Sequence, residues 1–305
     1  MCCCIVRIVT DRETRYVYPT TNAIDVVLLV EAIFGAAEVA LSYFGRESIS
    51  FWEKGDNSIV SEADLAVDRF MKTFLLARRP TYGWLSEESR DVLCRLKKNR
   101  VFVVDPIDGT RAFLSVKNDW VISAAIVEKG RPVVSVLGRP SKEFNVGGHI
   151  LVACSDPFIL NGSEIVSRGA YSLNGTRLQI PKVTSIHGAT VSIPRLWSKS
   201  GDVNAFFDKF NISVLPYIPS LAMRLVSVLL GEADVVFVSS KSYDWDIAAV
   251  DLLICEAGGS LLTASGDMAS YNTEFSCHEA LVAMSLGLSV EVLKDFLNLR
   301  RSVKS

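Results

Sequence analysis

Histidine is scarce in this 305-residue chain, and cysteine pairs with the spacing of a zinc site are missing. The sequence contains three histidines and seven cysteines, and no two cysteines have the CxxC spacing of a zinc site. The composition therefore argues against a Cys/His metal centre. An odd number of cysteines, three of them adjacent at residues 2–4 and four scattered, argues against a disulfide framework. Unpaired cysteines are typical of a reducing compartment, so we expect a cytoplasmic protein.

A strong excess of charge of either sign is also missing. The 32 basic and 34 acidic residues leave a formal net charge of −2 at pH 7. Basic residues cluster over residues 95–100, which is a short stretch. Proteins that bind nucleic acid or an acidic membrane surface usually carry a longer basic stripe or patch. We therefore expect neither of these partners.

A long uninterrupted apolar run is absent too. The apolar stretch over residues 23–44 is broken by Asp25, Glu31 and Glu38. Glu31 and Glu38 are seven positions apart, so they share one face of a helix. This pattern predicts an amphipathic helix packed on a core rather than a membrane span.

An acidic motif follows a predicted buried strand. The apolar residues 101–104 lead directly to Asp105 and Asp108, and a proline and a glycine allow the chain to turn sharply there. Open α/β sheets place their sites at such strand ends. Two carboxylates aimed into one space repel unless a cation lies between them, so the motif indicates a divalent metal site. The alternative is an ordinary turn with two solvated aspartates.

Other acidic residues stand where they could add ligands to that site. Glu87 follows a short predicted strand, Asp64 lies in the first turn of one predicted helix, and Asp246 lies at the start of another. Each has a structural alternative, because acidic residues favour first helical turns and aspartate is a frequent N-cap. A short helix is predicted over residues 110–114, and its first amides could hold a phosphate.

The remaining pattern mixes helices and strands. Helices are predicted over residues 21–45, 61–79, 202–210, 220–230, 246–257 and 289–299, and strands over residues 82–85, 101–104, 120–128, 132–137, 149–153, 189–193, 233–238 and 280–284. Neighbouring strands dominate the first part, whereas strands alternate with helices in the second. The chain is therefore predicted to be α+β or α/β, with two closely fused lobes over residues 1–180 and 181–305. The first lobe would carry most metal ligands and the second Asp246.

In their order and spacing, three segments resemble the signatures of the inositol monophosphatase family. The segments are Glu87–Glu88, Asp105–Thr110 and Trp245–Gly259, and the resemblance extends over residues 23–290. It implies a layered α-β-α-β-α fold and a homodimer. It also implies the lithium-sensitive, Mg²⁺-dependent hydrolysis of phosphate monoesters that the bacterial members of this family carry out.

The resemblance also implies a role for each matching residue. The expected metal ligands, for two or three Mg²⁺ ions, are the carboxylates of Glu87, Asp105, Asp108 and Asp246 and the carbonyl of Ile107. Asp64 would support an outer, weaker ion. Thr110 would pair with Glu87 to activate the attacking water, and the amides of Gly109 and Thr110 would hold the phosphate. Hard Mg²⁺ prefers such oxygen ligands, which agrees with the assignment.

The part of the site that would bind the alcohol departs from the family pattern. Inositol-specific relatives carry an acidic residue seven positions before the aspartate of the Trp-Asp signature, and here Ser239 stands there. Ser220 is retained from a Gly-Ser-Ala-Ala segment of the family. The expected substrate-binding set is Asp108, Gly109, Thr110, Ser220, Ser239 and Asp246. A neutral Ser239 predicts weak selectivity for inositol.

These observations favour a Mg²⁺-dependent phosphomonoesterase that acts on inositol monophosphate or a similar polyol or sugar phosphate through a metal-activated water. A 3'(2'),5'-bisphosphate nucleotidase is the alternative within enzymes. Its second phosphate would need a cation such as Arg195, Arg224 or Lys241, and the alternative for each of them is a plain surface charge. A protein of another class, an RNA- or polymerase-associated regulator that keeps the fold, is disfavoured by the lack of a basic stripe.

Overall fold

The computed structural model describes most of the chain. The described residues are 6–10, 13–17, 20–55, 58–141, 150–160, 164–195, 197–199, 201–285 and 287–288. The helix predicted over residues 289–299 lies outside them.

The helices follow the predicted pattern closely, with differences at their ends. They are α1 (Thr21–Tyr43), α2 (Glu62–Arg78), α3 (Thr110–Leu114), α4 (Gly201–Phe210), α5 (Leu221–Leu229) and α6 (Asp244–Glu256). The N-cap of α1 is Thr20, whose hydroxyl accepts a hydrogen bond from the helix backbone. Helix α6 begins at Asp244, so Asp246 lies within its first turn and is not its N-cap.

The strands outnumber the predicted ones, because several short hairpins give no clear sequence signal. They are β1 (Val6–Thr10), β2 (Glu13–Val17), β3 (Phe51–Glu53), β4 (Ile59–Ser61), β5 (Gly83–Ser86), β6 (Arg100–Asp108), β7 (Val121–Glu128), β8 (Arg131–Gly138), β9 (Ile150–Cys154), β10 (Phe158–Leu160), β11 (Glu164–Val166), β12 (Gly169–Ser172), β13 (Thr190–Ser192), β14 (Ser213–Val214), β15 (Val235–Val238), β16 (Gly259–Thr263) and β17 (Leu281–Ser285).

The larger strands form two sheets. A six-stranded sheet has the order β12-β9-β8-β7-β6-β5, antiparallel throughout except for the parallel pair β5 and β6. A five-stranded sheet has the order β14-β13-β15-β17-β16. In this sheet β13 pairs in parallel with both of its neighbours, whereas β17 runs antiparallel to β15 and β16. The second half of the chain is therefore a mixed sheet.

Strand β6 separates two apolar cores, because successive side chains of a strand point to opposite faces. Phe102 and Val104 pack with α1 and α2 on one face of the six-stranded sheet. Val101 and Val103 pack on the other face, with α5 and α6. All four side chains are at most 1% exposed, which explains why the sequence shows an unbroken apolar run here.

Strand β15 divides the other side of the molecule in the same way. Val236 and Val238 face the core that contains α5 and α6, whereas Val235 and Phe237 pack in a third core with residues of α4. The layers are therefore helices, sheet, helices, sheet and helix, and the predicted α-β-α-β-α arrangement is confirmed. The division into lobes at residue 180 stays a prediction.

Helix α1 shows how the structure treats the charged residues of its apolar stretch. Glu31 and Glu38 are exposed, as predicted from their spacing. Asp25 is buried and accepts hydrogen bonds from Arg79 and Arg100, at 2.8 and 3.0 Å. In the described part of the chain, no helix is both long and apolar enough to cross a bilayer.

Candidate active site

The acidic motif lies at a break in the pairing of β6 with β7. Asp105 pairs with Ser123 and Asp108 with Val121, so the register shifts between the two aspartates. A bulge of this kind re-aims side chains at a strand end. Both aspartates are buried, at 1% and 8% exposed.

Gly109 completes this turn. Its φ of +99° is strained for any residue with a side chain, and a Cβ placed on it would lie 2.6 Å from the backbone oxygen of Asp119. Glycine is therefore required here by both backbone conformation and space. Helix α3 begins at the next residue, Thr110.

Two other elements end at the same place. Strand β5 runs parallel to β6, and the amide of Glu87 donates to the carbonyl of Val104 at 3.3 Å, so Glu87 lies beside the end of β6. Helix α6 packs beneath β6 and brings its first turn, with Asp246, to this edge. The structure therefore brings together acidic residues from distant parts of the chain, as predicted.

These residues line one open cavity of about 650 Å³. Its walls include Glu87, Asp105, Ile107, Asp108, Gly109, Thr110 and Asp246. Asp64 lies behind this wall, 1% exposed, and contacts it through Thr110. Of the predicted site residues, Ser220 and Ser239 lie outside the lining. Ser220 is buried and caps α5, and Ser239 is exposed just after β15.

The crowded carboxylates disfavour each other's ionised forms. Burial, followed by the charges of Glu87, Asp108 and Asp246, raises the pKa of Asp105 well above its ordinary value. Burial and then the charge of Glu87 raise the pKa of Asp246 in the same way. The site therefore holds an excess of negative charge, which a bound cation would relieve.

Asp108 is the most firmly held of these carboxylates. Its Oδ2 accepts from the Ser220 hydroxyl and from the amide of Ala222, each at 2.6 Å, and its Oδ1 accepts from the amide of Leu221 at 3.2 Å. Burial raises the pKa of Asp108, whereas these hydrogen bonds lower it. Ser220 thus holds Asp108 against the start of α5, and this hydrogen bond is its contact with the site.

Lys54 is a site residue that the sequence did not predict. Its ammonium group lies 3.0 Å from Oε1 of Glu87 and 2.9 Å from Oε1 of Glu88. Burial lowers the pKa of Lys54, but the two carboxylates outweigh it and the net shift is upward. Burial and then the charge of Glu87 raise the pKa of Glu88 to about 7. The lysine partly neutralises this edge of the cavity.

Asp64 holds the hydroxyl of Thr110 in place. This hydroxyl donates to Oδ1 of Asp64 at 2.9 Å and also contacts the carbonyl of Ile107 at 3.2 Å. The other oxygen of Asp64 accepts from the amide and the hydroxyl of Ser61. In this structure Thr110 bonds to Asp64 and Glu87 to Lys54, and the predicted action of Thr110 and Glu87 on a shared water stays a prediction.

The oxygen ligands of the cavity suit a hard divalent cation, but in this structure they are too far apart to coordinate one together. The cavity offers carboxylate and carbonyl oxygens, which Mg²⁺ prefers. Within the described ranges, no three His, Cys, Asp or Glu side chains stand close enough together to hold a metal ion. Hydrogen bonds to Lys54 and to backbone amides occupy several of the oxygens. A metal would therefore have to displace some of these contacts.

The three basic residues proposed from the sequence to bind a second phosphate differ in their position relative to the cavity. Arg195 is exposed and lines the cavity. Arg224 is buried on α5, 7% exposed. Lys241 is exposed and lies outside the cavity lining.

One family model matches this chain, and known relatives carry the names of a phosphatase and a nucleotidase. The sequence model described as the inositol monophosphatase family matches residues 24–294. An inositol-1-monophosphatase of Rhizobium meliloti is 32% identical over 117 residues, which are 38% of this chain and 44% of that protein. A 3'(2'),5'-bisphosphate nucleotidase CysQ of Haemophilus influenzae is 33% identical over 102 residues, 33% of this chain and 38% of that protein. The chain thus matches less than half the length of these two relatives.

A solved structure resembles the chain over a greater length. The extragenic suppressor protein suhB of Bartonella henselae has a TM-score of 0.71 and 22% sequence identity, and the similarity covers 92% of this chain and 100% of that one. At this level of identity the similarity supports the fold alone.

Proposed function

The chain belongs to the inositol monophosphatase family, and on that premise we propose that it is a metal-dependent phosphomonoesterase acting on small phosphorylated alcohols. The observation that carries the proposal is the convergence of Glu87, Asp105, Asp108 and Asp246 on one cavity. These carboxylates come from β6, α6 and the residue that follows β5, and burial raises their pKa values. A cluster of this kind is costly to maintain unless a cation uses it.

The ion would be Mg²⁺, held by those carboxylates and the carbonyl of Ile107, in two or three positions. Bound there, it would supply Lewis-acid stabilisation of the charge that develops on the transferred phosphoryl group. Asp108 would keep its geometry through Ser220 and the first amides of α5. Lys54 would release Glu87 when the cation binds.

The groups that handle the attacking water would be Thr110 and Glu87. Asp64 holds the Thr110 hydroxyl in place at 2.9 Å, so the hydroxyl can orient a water beside the phosphate. Glu87 lies in the same cavity and, freed from Lys54, would accept the proton of that water. No covalent nucleophile on the protein is needed for this scheme.

Inositol monophosphate or a similar polyol or sugar phosphate is the first candidate substrate. A nucleoside bisphosphate is the second, and it is favoured by Arg195 in the cavity wall and the buried Arg224 nearby. A homodimer, a cytoplasmic location and inhibition by lithium stay predictions that rest on the resemblance and on the cysteine content.

A phosphate-release assay over a substrate panel tests the proposal. The panel would be inositol 1-phosphate, adenosine 3',5'-bisphosphate, fructose 1,6-bisphosphate and histidinol phosphate, each with saturating Mg²⁺. We expect at least one to be hydrolysed with a kcat/KM of roughly 10⁴ M⁻¹s⁻¹ or above. Salt-dependent RNA binding without hydrolysis of any panel member would instead favour a regulatory protein.

A further inference from the structure

Two aspartates lie on one face of α2. Asp64 and Asp68 are four residues apart, so they share a face of the helix, and both are buried, at 1% and 7% exposed. Asp64 holds the hydroxyl of Thr110 at 2.9 Å and through it has a place in the proposed reaction. Asp68 has no such place, although a buried carboxylate costs free energy unless its oxygens are hydrogen-bonded. The partners of Asp68 therefore indicate its role.

Asp68 binds the two serines on either side of Glu87 and Glu88. Its Oδ1 accepts a hydrogen bond from the hydroxyl of Ser86, and its Oδ2 accepts one from the hydroxyl of Ser89 at 2.7 Å. Ser86 is the last residue of β5, and Ser89 follows three positions later. One carboxylate of α2 therefore holds both ends of this four-residue segment.

The backbone holds the segment less firmly beyond the end of β5. The amide of Glu87 donates to the carbonyl of Val104 at 3.3 Å, and the amide of Glu88 donates to the hydroxyl oxygen of Ser86 at 3.4 Å. Both distances exceed the usual range of an N–H···O hydrogen bond, which ends near about 3.2 Å. The two bonds that Asp68 accepts are shorter and charge-assisted, so they hold the segment more firmly.

Two lysines also contact this segment. Lys54 binds Glu87, but a cation at the site would displace this lysine. Lys72 donates to the hydroxyl of Ser89 at 3.3 Å, and its loss would leave both bonds to Asp68 in place. Asp68 is therefore the side chain that can hold the segment while a cation is bound.

We propose that Asp68 is a positioning residue, which holds Glu87 where it can accept the proton of the attacking water. The proposal rests on the proposed phosphatase function and deepens it. Asp64 holds Thr110, which would orient that water. Both aspartates lie within about one turn of α2, so this helix sets the distance between the two groups that handle the water. A helix is a rigid support, and a group misplaced by about 1 Å can cost roughly a hundredfold in rate.

Three variants remove or keep the two hydrogen bonds. Asp68→Ala removes both of them. Asp68→Asn keeps the shape of the side chain, and its amide can accept from one hydroxyl and donate to the other. The double variant Ser86→Ala/Ser89→Ala removes the same bonds from the other side. If Asp68→Ala is added to this double variant, we expect no further loss, because the partners of Asp68 are already gone.

Asp25→Asn is the matched control for lost stability. Asp25 is a buried carboxylate like Asp68, but it lies on α1 and accepts hydrogen bonds from Tyr82 and Arg100. Tyr82 precedes β5 and Arg100 begins β6, whereas the site lies at the other ends of these strands. The control should therefore lower the unfolding temperature without loosening segment 86–89.

Each variant is measured in two ways, both well below its unfolding temperature. Hydrogen–deuterium exchange in EDTA reports how firmly the amides of segment 86–89 are held without any metal. Phosphate release from the best panel substrate at saturating Mg²⁺ gives kcat and KM. We expect Asp68→Ala and the double serine variant to exchange faster in this segment and to lose roughly ten- to a hundredfold in kcat. Their KM should change by less than about threefold. Asp68→Asn should keep kcat within about threefold of wild type, and Asp25→Asn within about twofold.

Wild-type exchange and kcat in a folded Asp68→Ala variant would overturn the proposal, because Asp68 would then contribute to stability alone. An equal loss of kcat in Asp68→Asn would also overturn it, since the charge and not the hydrogen bonds would then act on the site. If Asp68→Ala does not fold, the double serine variant decides by the same two measurements. No hydrolysis by wild type would overturn the phosphatase function and the role of Asp68 in turnover with it, whereas exchange would still report whether Asp68 holds the segment.

Discussion

Lys54 forms an ion pair with Glu87 of the cavity wall, and Nζ and Oε1 are 3.0 Å apart. Their side chains are 25% and 20% exposed, so water screens the pair only in part. The same ammonium group also binds Glu88. Glu87 is a proposed metal ligand, so the lysine and a divalent cation compete for one carboxylate.

Lys54→Met should therefore strengthen metal binding. We expect the Mg²⁺ concentration that gives half-maximal activity to fall by roughly three- to tenfold, because no ammonium group has to be displaced. In EDTA the same variant should unfold at a lower temperature than wild type, since Glu87 and Glu88 are left without their cation. Phosphate release titrated with Mg²⁺ measures the first effect, and thermal unfolding in EDTA measures the second.

Lys72→Met provides the control for that experiment. Lys72 is also a partly buried lysine, but its Nζ contacts the Ser89 hydroxyl at 3.3 Å and not Glu87. The variant should leave the half-saturating Mg²⁺ concentration unchanged. An equal shift in both lysine variants would mean that overall charge, and not the pair with Glu87, sets the metal affinity.

Asp105→Asn should stabilise the metal-free protein. Burial and neighbouring carboxylates raise the pKa of Asp105 in the folded state above its unfolded value. The contribution of Asp105 to the free energy of unfolding is therefore fully present at pH values below its pKa in the unfolded state. It is lost as the pH rises through its pKa in the folded state. At pH 7 a neutral asparagine avoids this loss, so we expect the unfolding midpoint in EDTA to rise by roughly 2 °C or more.

Scans of thermal stability against pH check the same point. The difference between wild type and Asp105→Asn should shrink as pH falls towards the unfolded pKa of aspartate, about 4. Asp202→Asn, at an exposed position of α4, should leave the midpoint unchanged. A variant at Asp105 that is less stable than wild type at pH 7 would contradict the proposed crowding of charge.

Thr110→Ala should affect turnover more than substrate binding. Without the hydroxyl that Asp64 holds, the attacking water loses its orientation, and we expect kcat to fall by roughly a hundredfold. KM should change by less than about threefold. Thr110→Ser keeps the hydroxyl and should recover most of the activity. If only KM changed, Thr110 would have a role in phosphate binding and none in orienting water.

Gly109→Ala should destabilise the protein through two separate effects. A positive φ is strained for alanine, and its Cβ would lie 2.6 Å from the Asp119 oxygen. Gly175 has a similar φ of +98° but open space around the missing Cβ, so Gly175→Ala isolates the conformational effect. We expect Gly109→Ala to cost about 1–3 kcal/mol more than Gly175→Ala in urea unfolding. Equal costs would show that the close approach to Asp119 has no effect.

The local parts of the site could be predicted from the sequence. Asp105, Asp108 and Gly109 lie within one turn, and their residue types alone require a strand end that bends. The unbroken apolar run over residues 101–104 also predicted a buried strand, and in the structure Phe102 and Val104 face one core and Val101 and Val103 the other. The layered arrangement was implied by the resemblance.

Contacts between distant segments could not be predicted in this way. Lys54 and Glu87 are 33 residues apart, and nothing in the sequence around Lys54 indicates which carboxylate this lysine binds. The pairing of Thr110 with Asp64 depends on how α2 approaches β6. The sequence indicates only a surface charge at Arg224, and packing shows that it is buried and that two of its nitrogens have no hydrogen-bond partner among the described residues.

The central claim is that the carboxylates around Asp105 form a metal-dependent hydrolytic site. The most direct measurement is inorganic phosphate release by wild type and Asp105→Asn from the best panel substrate, in Mg²⁺, in EDTA, and in EDTA followed by excess Mg²⁺. We expect wild type to release phosphate in Mg²⁺, to lose this activity in EDTA and to recover it when Mg²⁺ returns. We expect the folded Asp105→Asn variant to lose roughly a thousandfold or more in turnover. Wild-type turnover that persists in EDTA, or near-normal turnover by Asp105→Asn, would contradict the central claim.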